Sequence, residues 1–386
     1  MPQTTPTSAN DLAEALHSAA EAGKSITLLG NNSKKLMAGP ITPADAVIST
    51  SGLTRVLQYE PNDLTVSVEA GMRFSTLQEM LARHGQMIAL DPPFRANASI
   101  GGVVASNSSG PMRAAFGTAR DLVIGMKFAT LEGKIVTTGG MVVKNVAGLD
   151  MGKLMVGSFG TLAAITSVNL RLHPLPERTA SFLFSFANTD DAVNKRDAIL
   201  NGVLRPITMD LISPPAAARL GRRGYVLALR AGGSRRVLDR YEKELNGSER
   251  LDDADDARFW NRIREFTCDF LTRQPGGIVL RISTVLTETR SVLKLISGPA
   301  ISRAASGVIY AYLNSWVGIA ALQRAAVERG WKMAVEYAPD DVRAGKDLWL
   351  LPPQPAQAAA FVMMEKVKHM FDPNNILNRS RLYGRI

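Results

Sequence analysis

A single cysteine, Cys268, stands in 386 residues, so no disulfide can close within the chain. One thiol also cannot hold an iron–sulfur cluster, which takes several thiolates. A reducing compartment is expected for such a chain. Histidine is nearly as scarce. His17, His84, His173 and His369 lie far apart, and none belongs to an H-x-H or H-x-x-x-H pair. That spacing argues against a shared metal site, and no metal is expected. No run of about 18 apolar residues occurs, so no segment is expected to span a bilayer. The opening M-P-Q-T-T-P-T-S-A-N lacks the charged-then-apolar order of a secretory signal, and a cytoplasmic location is expected. The formal net charge is +10, but the basic residues are scattered rather than tracked along one helix with aromatics. Nucleic acid is therefore not an expected partner. The densest basic group runs from Arg219 to Arg240 and reads as a solvated surface or a docking patch.

What is present is ample core material. The chain is 46% hydrophobic and 21% charged, and its length predicts two domains or three. Residues 1–9 read as a flexible tail. Asn10 can cap a helix from Asp11 to about Ala22, stopped by Gly23. A strand at Ile26–Leu29 empties into a loop. Thr65–Ala70 alternates apolar and polar residues, as a half-buried strand does. Ser75 and Gln78 are spaced as a capping box. Glu132-Gly133 predicts a hairpin, and Asp150 can cap a short helix. Pro174 and Pro176 mark a boundary near residue 177. Beyond it, strands and helices alternate in an α+β pattern that predicts a sheet covered by helices on one face. A last helix ends at Phe371.

Three stretches in the first domain are stripped of bulk: Gly30–Lys35, Ala98–Asp121 and Gly157–Thr166. Small residues let main chain approach a ligand closely, and successive N–H groups can then converge on an anion such as a phosphate. Read alone, each is equally a plain surface turn. The Rossmann spacing G-x-G-x-x-G after a first strand, with an acidic residue about 20 positions on, is missing.

Taken together the stretches are more specific. G-N-N-S-K (Gly30–Lys34) is followed by P-P-x5-S-I-G-G-x2-A-x-N-x2-G-x6-G-x3-D (Pro92–Asp121). V-V-K-N-x-A-G-x-D-x2-K-L-x-V-G-S-x-G-T-L-x3-T (Val142–Thr166) comes third. This trio resembles the FAD-binding domain of the vanillyl-alcohol oxidase/p-cresol methylhydroxylase flavoproteins, over about residues 10–177. Within that superfamily it is similar to the FAD-binding subunits of bacterial glycolate oxidases (glycolate dehydrogenases). The resemblance implies an α+β chain with a two-subdomain FAD-binding domain at 10–177, an α+β cap at 178–371, and a tail at 372–386 packing back on the first domain. The closing F-D-P-N-N-I-L-N resembles the family's C-terminal signature, although Arg379 and Ser380 stand where Pro-Gly is usual.

The resemblance implies cofactor contacts at Gly30, Asn31, Asn32, Ser33 and Lys34 and at Pro92, Ala98, Ser99, Ile100, Gly101 and Gly102. It implies others at Ser106, Asn107, Gly110, Gly117 and Asp121, and at Gly157, Gly160 and Ile165. The first loop and the Ser99–Gly102 turn would hold the pyrophosphate through main-chain amides, while Gly117, Arg120 and Asp121 would brace the second loop. Charge-assisted hydrogen bonds contribute about 1.5–3 kcal/mol each. Three or four would supply the roughly 8 kcal/mol of micromolar binding. Neither of the first two loops carries His or Cys, so the FAD is expected to be non-covalent.

Substrate chemistry is far less legible. A hydride acceptor wants a base near the substrate α-carbon, and no cap residue announces itself as one. Lys144 and Asn145 are the polar candidates for a catalytic role, with a surface lysine between strand and helix as the plain alternative for Lys144. The resemblance implies a larger catalytic flavin subunit and an iron–sulfur subunit as partners, a small 2-hydroxy acid as substrate, and electrons passed on to quinone. An autonomous flavin oxidoreductase and a scaffold with a decayed flavin site remain as alternatives.

Overall fold

The computed structural model describes residues 3–141, 150–350 and 355–386, the side chains of 355–359 excepted. Its first part holds three small sheets, one of them only the antiparallel pair Gln86–Met87 and His173–Pro174. Gln3–Thr4, Ala46–Ser49 and Ile26–Leu29 pair in parallel in that spatial order. The helix Ala9–Glu21 lays Leu12 and Leu16 over Ile26 and Ile48. The opening residues are thus not a free tail from Gln3 on. Nor does Asn10 cap the helix, because Ser8, two residues earlier, accepts from the Asp11 amide.

A second, antiparallel sheet runs Val56–Glu60, Thr65–Glu69, Ala164–Arg171, Val123–Ala129, Ile135–Gly139. Thr65–Glu69 has neighbours on both sides and is buried at every residue, not half-buried as its alternation predicts. Its polar members are covered, and Glu69 is held by Arg55. The helix expected to start on a Ser75/Gln78 box begins at Phe74 without a side-chain cap. Gln78 instead accepts from the Ile88 amide at 3.0 Å. The stretch from Ser99 is not all loop, because Ile100–Ala105 is a short helix that buries Ile100, Val103 and Val104.

The second part is one eight-stranded antiparallel sheet. Its order is Glu249–Asp252, Arg178–Phe186, Tyr225–Gly233, Thr208–Ile212, Ala300–Arg303, Val308–Leu313, Ile278–Ser283, Lys332–Tyr337. Alternation along each strand feeds two cores. Phe182, Leu227 and Leu280 face the helices Thr189–Leu200, Arg235–Glu244, Thr289–Leu295 and Ile319–Arg329. Leu183, Val226 and Val279 face the other way, against Phe259, Trp260 and Phe270 of the helices Asp253–Arg264 and Phe266–Arg273. Helices therefore cover both faces, not one. That helix pair leaves little periodic signal in the sequence. Asp253–Arg264 is mostly charged, and the apolar residues it buries are Phe259, Trp260 and Ile263.

Two seams join the parts. The Ala38 amide donates to the Glu336 carbonyl at 2.9 Å, and Glu265 accepts from the amides of Phe94 and Arg95. The chain end returns to the first sheet. Leu377 bridges Ile26 in parallel, and the buried Lys368 ammonium reaches Asp372 at 2.5 Å and the carbonyls of Thr161 and Leu377 at 2.8 Å. Among the described residues, no helix is long and apolar enough to cross a membrane.

Candidate cofactor site

The strand Ile26–Leu29 delivers the chain into Gly30–Lys34, and this loop backs directly onto the second stretch. A Cβ at Gly30 would lie 2.4 Å from the Ser99 hydroxyl. That hydroxyl caps the helix Ile100–Ala105 through the Gly102 amide at 3.3 Å. The third stretch hangs from the end of the same helix, with Gly157 and Phe159 donating to the carbonyls of Val104 and Ala105. The three small-residue stretches thus meet around one cleft, which holds about 950 Å³ including the part open to solvent. Ligand clefts commonly occupy about 300–1,000 Å³.

Of the residues expected at the cofactor, Gly30, Asn31, Asn32, Ser33 and Lys34 line this cleft, with Ser99, Gly101, Gly102 and Ser106, and Gly160 and Ile165. Asn107 and Gly157 line an adjoining chamber instead. Pro92, Ala98, Ile100, Gly110, Gly117 and Asp121 line neither. They shape the second stretch from behind. Ala98 and Ile100 are core residues, and Gly110 presses on the Asp91 main chain. Asp121 closes a capping box with Thr118 beneath Gly117. Lys144 and Asn145 lie outside the described residues.

The supply of free amides is uneven. The N–H groups of Ile100 and Gly101 already donate to Met72 and Ala70, and that of Gly102 to Ser99. By contrast, those of Asn31, Asn32, Ser33 and Lys34 have no protein acceptor among the described residues. Buried polar groups are almost always paired, yet the Asn31 side-chain amide is buried without a partner here. The cleft therefore fits an anionic ligand of dinucleotide size, with the first loop as donor and the second as a close-packed wall. The Lys34 ammonium adds charge. Burial pushes its pKa down to about 8, and Glu265 offsets part of that shift.

Three lining residues come from the far end of the chain, where sequence reasoning placed only a tail: Asn378, Arg379 and Arg381. The Asn378 carboxamide bonds both the main chain of Leu28 and the Phe159 carbonyl. Arg381 donates to the carbonyls of Lys34, Met37 and Gly39. The motif around Asn378 was the available signal.

At Ser106 and Phe159 the cleft passes into the adjoining chamber, of about 680 Å³, whose other wall is the eight-stranded sheet. Arg113, Arg281, Tyr310, Glu336 and Tyr383 line it. Arg281 lies opposite Tyr310 in register and 3.4 Å from Glu336. Burial raises the Glu336 carboxyl above its ordinary range, against the pull of Arg281, Arg113 and Arg303. Among the described residues, neither chamber is lined by histidine or cysteine, and no three His, Cys, Asp or Glu side chains converge on a metal position.

Comparison with known proteins agrees with this architecture. Residues 4–139 match the FAD binding domain family. The chain is 26% identical over 362 residues to the glycolate oxidase subunit GlcE of Escherichia coli (strain K12), covering 94% of this chain and 93% of that one. To the glycolate oxidase subunit GlcD of Bacillus subtilis (strain 168) it is 24% identical over 383 residues, covering 89% and 80%. In fold it is similar to the 4-ethylphenol oxidase of Gulosibacter chungangensis, with a TM-score of 0.74 at 16% identity over 99% of this chain and 89% of that one. The three loops and the cleft they close thus belong to a chain whose residues 4–139 match an FAD binding domain and which is similar along nearly its whole length to a glycolate oxidase subunit.

Proposed function

We propose that this chain is the FAD-holding subunit of an assembly that oxidises glycolate or a closely related 2-hydroxy acid. The cofactor is non-covalent. The observation that carries the reading is the first loop: among the described residues, its four amides have no protein acceptors and the buried Asn31 amide has no partner, and the cleft it heads is lined by no histidine or cysteine. The near full-length likeness to a glycolate oxidase subunit supplies the substrate class and the assembly. When bound, FAD supplies a two-electron acceptor. The chain's own residues bind its pyrophosphate, hold the loops around it and shield it from water. The partners are a larger flavin subunit and an iron–sulfur subunit, whose cluster must come from another chain because Cys268 stands alone here. Through them the chain sits at the inner face of the cytoplasmic membrane and passes electrons toward quinone.

The test is purification of the full chain, alone and with its co-expressed partners. About one flavin per chain, released to the supernatant on acid denaturation and identified as FAD, is the expected result. A colourless chain that takes up no added FAD overturns the reading. A flavin that stays on the precipitated polypeptide overturns its non-covalent part.

A further inference from the structure

We propose that the chamber beside the cleft is a monocarboxylate site, in which Arg113 takes the carboxylate and Glu336 takes the hydroxyl proton of a small 2-hydroxy acid. It rests on the reading that FAD fills the adjoining cleft. Its consequence goes further: this chain's own flavin meets substrate and does not serve only as an electron relay.

Among the described residues, two guanidiniums, Arg113 and Arg281, face one carboxylate, Glu336, across the chamber. Arg281 is engaged, 3.4 Å from Glu336. Arg113 donates to the Ser109 hydroxyl at 3.2 Å and has no carboxylate within 4.0 Å among the described residues. One half-buried cation is therefore left over, and a monoanion in the chamber would relieve its cost. Guanidinium is also the side chain best shaped to grip a carboxylate in two-point fashion.

Glu336 completes the arrangement. It is 8% exposed, and its Oε2 has no hydrogen-bond partner although it faces Arg281. It stands on the edge strand Lys332–Tyr337, and its carbonyl is pinned by Ala38 from the first domain. The main chain that carries the carboxylate is thus held, and one buried carboxylate oxygen is without a hydrogen bond among the described residues. The two candidates come from opposite walls, Arg113 from the helix Arg113–Phe116 and Glu336 from the cap sheet. A small molecule held between them lies beside Ser106 and Phe159, where the chamber opens into the cleft.

The chemistry balances. The substrate O–H bond breaks and its proton passes to Glu336. The α-carbon–hydrogen bond would break with its electron pair, for which FAD held in the adjoining cleft would supply the two-electron acceptor, and a carbon–oxygen double bond would form. The products are a 2-oxo acid and reduced flavin. A positioned base contributes about 10²–10⁴-fold to such a step.

The experiment uses the full chain loaded with FAD, and oxamate as a non-oxidisable monoanion. Oxamate is expected to perturb the flavin absorption saturably. Arg113→Met should weaken that binding by about tenfold or more, with Arg113→Lys intermediate, while flavin content stays that of wild type. Glu336→Gln should bind oxamate as well as wild type. Its flavin should bleach under anaerobic glycolate about 100-fold more slowly or worse. Should Glu336→Gln lose its flavin, Glu336→Asp serves in its place. Yellow chain that ignores oxamate, Arg113→Met binding as wild type, or Glu336→Gln bleaching at the wild-type rate each overturns the proposal. Chain that holds no FAD overturns instead the reading beneath it.

Discussion

Asn378 and Leu28 lie 350 positions apart, yet they bond twice. The Asn378 side-chain oxygen accepts from the Leu28 amide at 2.7 Å, and its NH₂ donates back to the Leu28 carbonyl at 3.1 Å. The same NH₂ reaches the Phe159 carbonyl at 2.9 Å. One carboxamide near the chain end thus ties the strand that feeds the first loop to the third loop. Gly160, with φ +69°, is bare where Asn378 passes, because a Cβ there would lie 2.9 Å from the Asn378 nitrogen.

Asn378→Ala is therefore expected to loosen two walls of the cleft together. It orphans one donor and two acceptors, and a buried polar group left without a partner costs about 1–3 kcal/mol. Flavin fluorescence titration should show FAD affinity lowered about tenfold or more, with a lower Tm in the holo chain. Asn378→Asp keeps the acceptor but loses both donors, and should fall between. Unchanged affinity in Asn378→Ala would remove the chain end from the cofactor site.

Gly30→Ala tests the close approach of the first two loops. The added methyl would meet the Ser99 hydroxyl at 2.4 Å. That hydroxyl cannot turn away freely, because it caps the helix behind it. Forcing extra bulk into packed structure costs about 1–3 kcal/mol, and here the loop at the cofactor is the part that gives. The expected result is a folded chain with most of its flavin lost. Gly276→Ala, with nothing within 4 Å of the new carbon, should keep its flavin and serves as the control.

How much of this was legible in the sequence depends on what kind of signal each feature leaves. Stretches stripped of bulk stand out, so Gly30–Lys34, Ser99–Gly102 and Gly157–Gly160 could be read as one site. Amide bonding leaves no trace in composition. Both of the first two loops read as phosphate cradles, whereas the amides of Ile100 and Gly101 are spent on Met72 and Ala70. The motif ending at Asn378 pointed to a tail packed on the first domain, but the bonds Asn378 and Arg381 make there stayed hidden because only tertiary folding brings them about 350 residues back. Glu336 stayed hidden because K-M-A-V-E-Y reads as an ordinary strand, and a carboxylate there gives no sign of the two arginines it will face.

FAD binding is expected to depend on pH through Lys34. Lys34 lines the cleft, and burial holds its pKa down at about 8 before any ligand arrives. A pyrophosphate placed beside it favours the charged ammonium and raises that value in the complex. The complex then binds protons more tightly than the free chain, which fixes the sign of the linkage. FAD affinity should be level well below pH 8. It should fall as pH rises through about 8, by at most about tenfold per unit, until the raised value in the complex is reached. The pyrophosphate keeps its charge across this range, so the step belongs to the protein. Lys34→Gln should bind FAD more weakly at pH 7 and lose the step. Binding isotherms in buffers of different ionisation enthalpy would show proton uptake near pH 8 in wild type and none in the variant. A flat profile in wild type would mean that Lys34 points away from the phosphates.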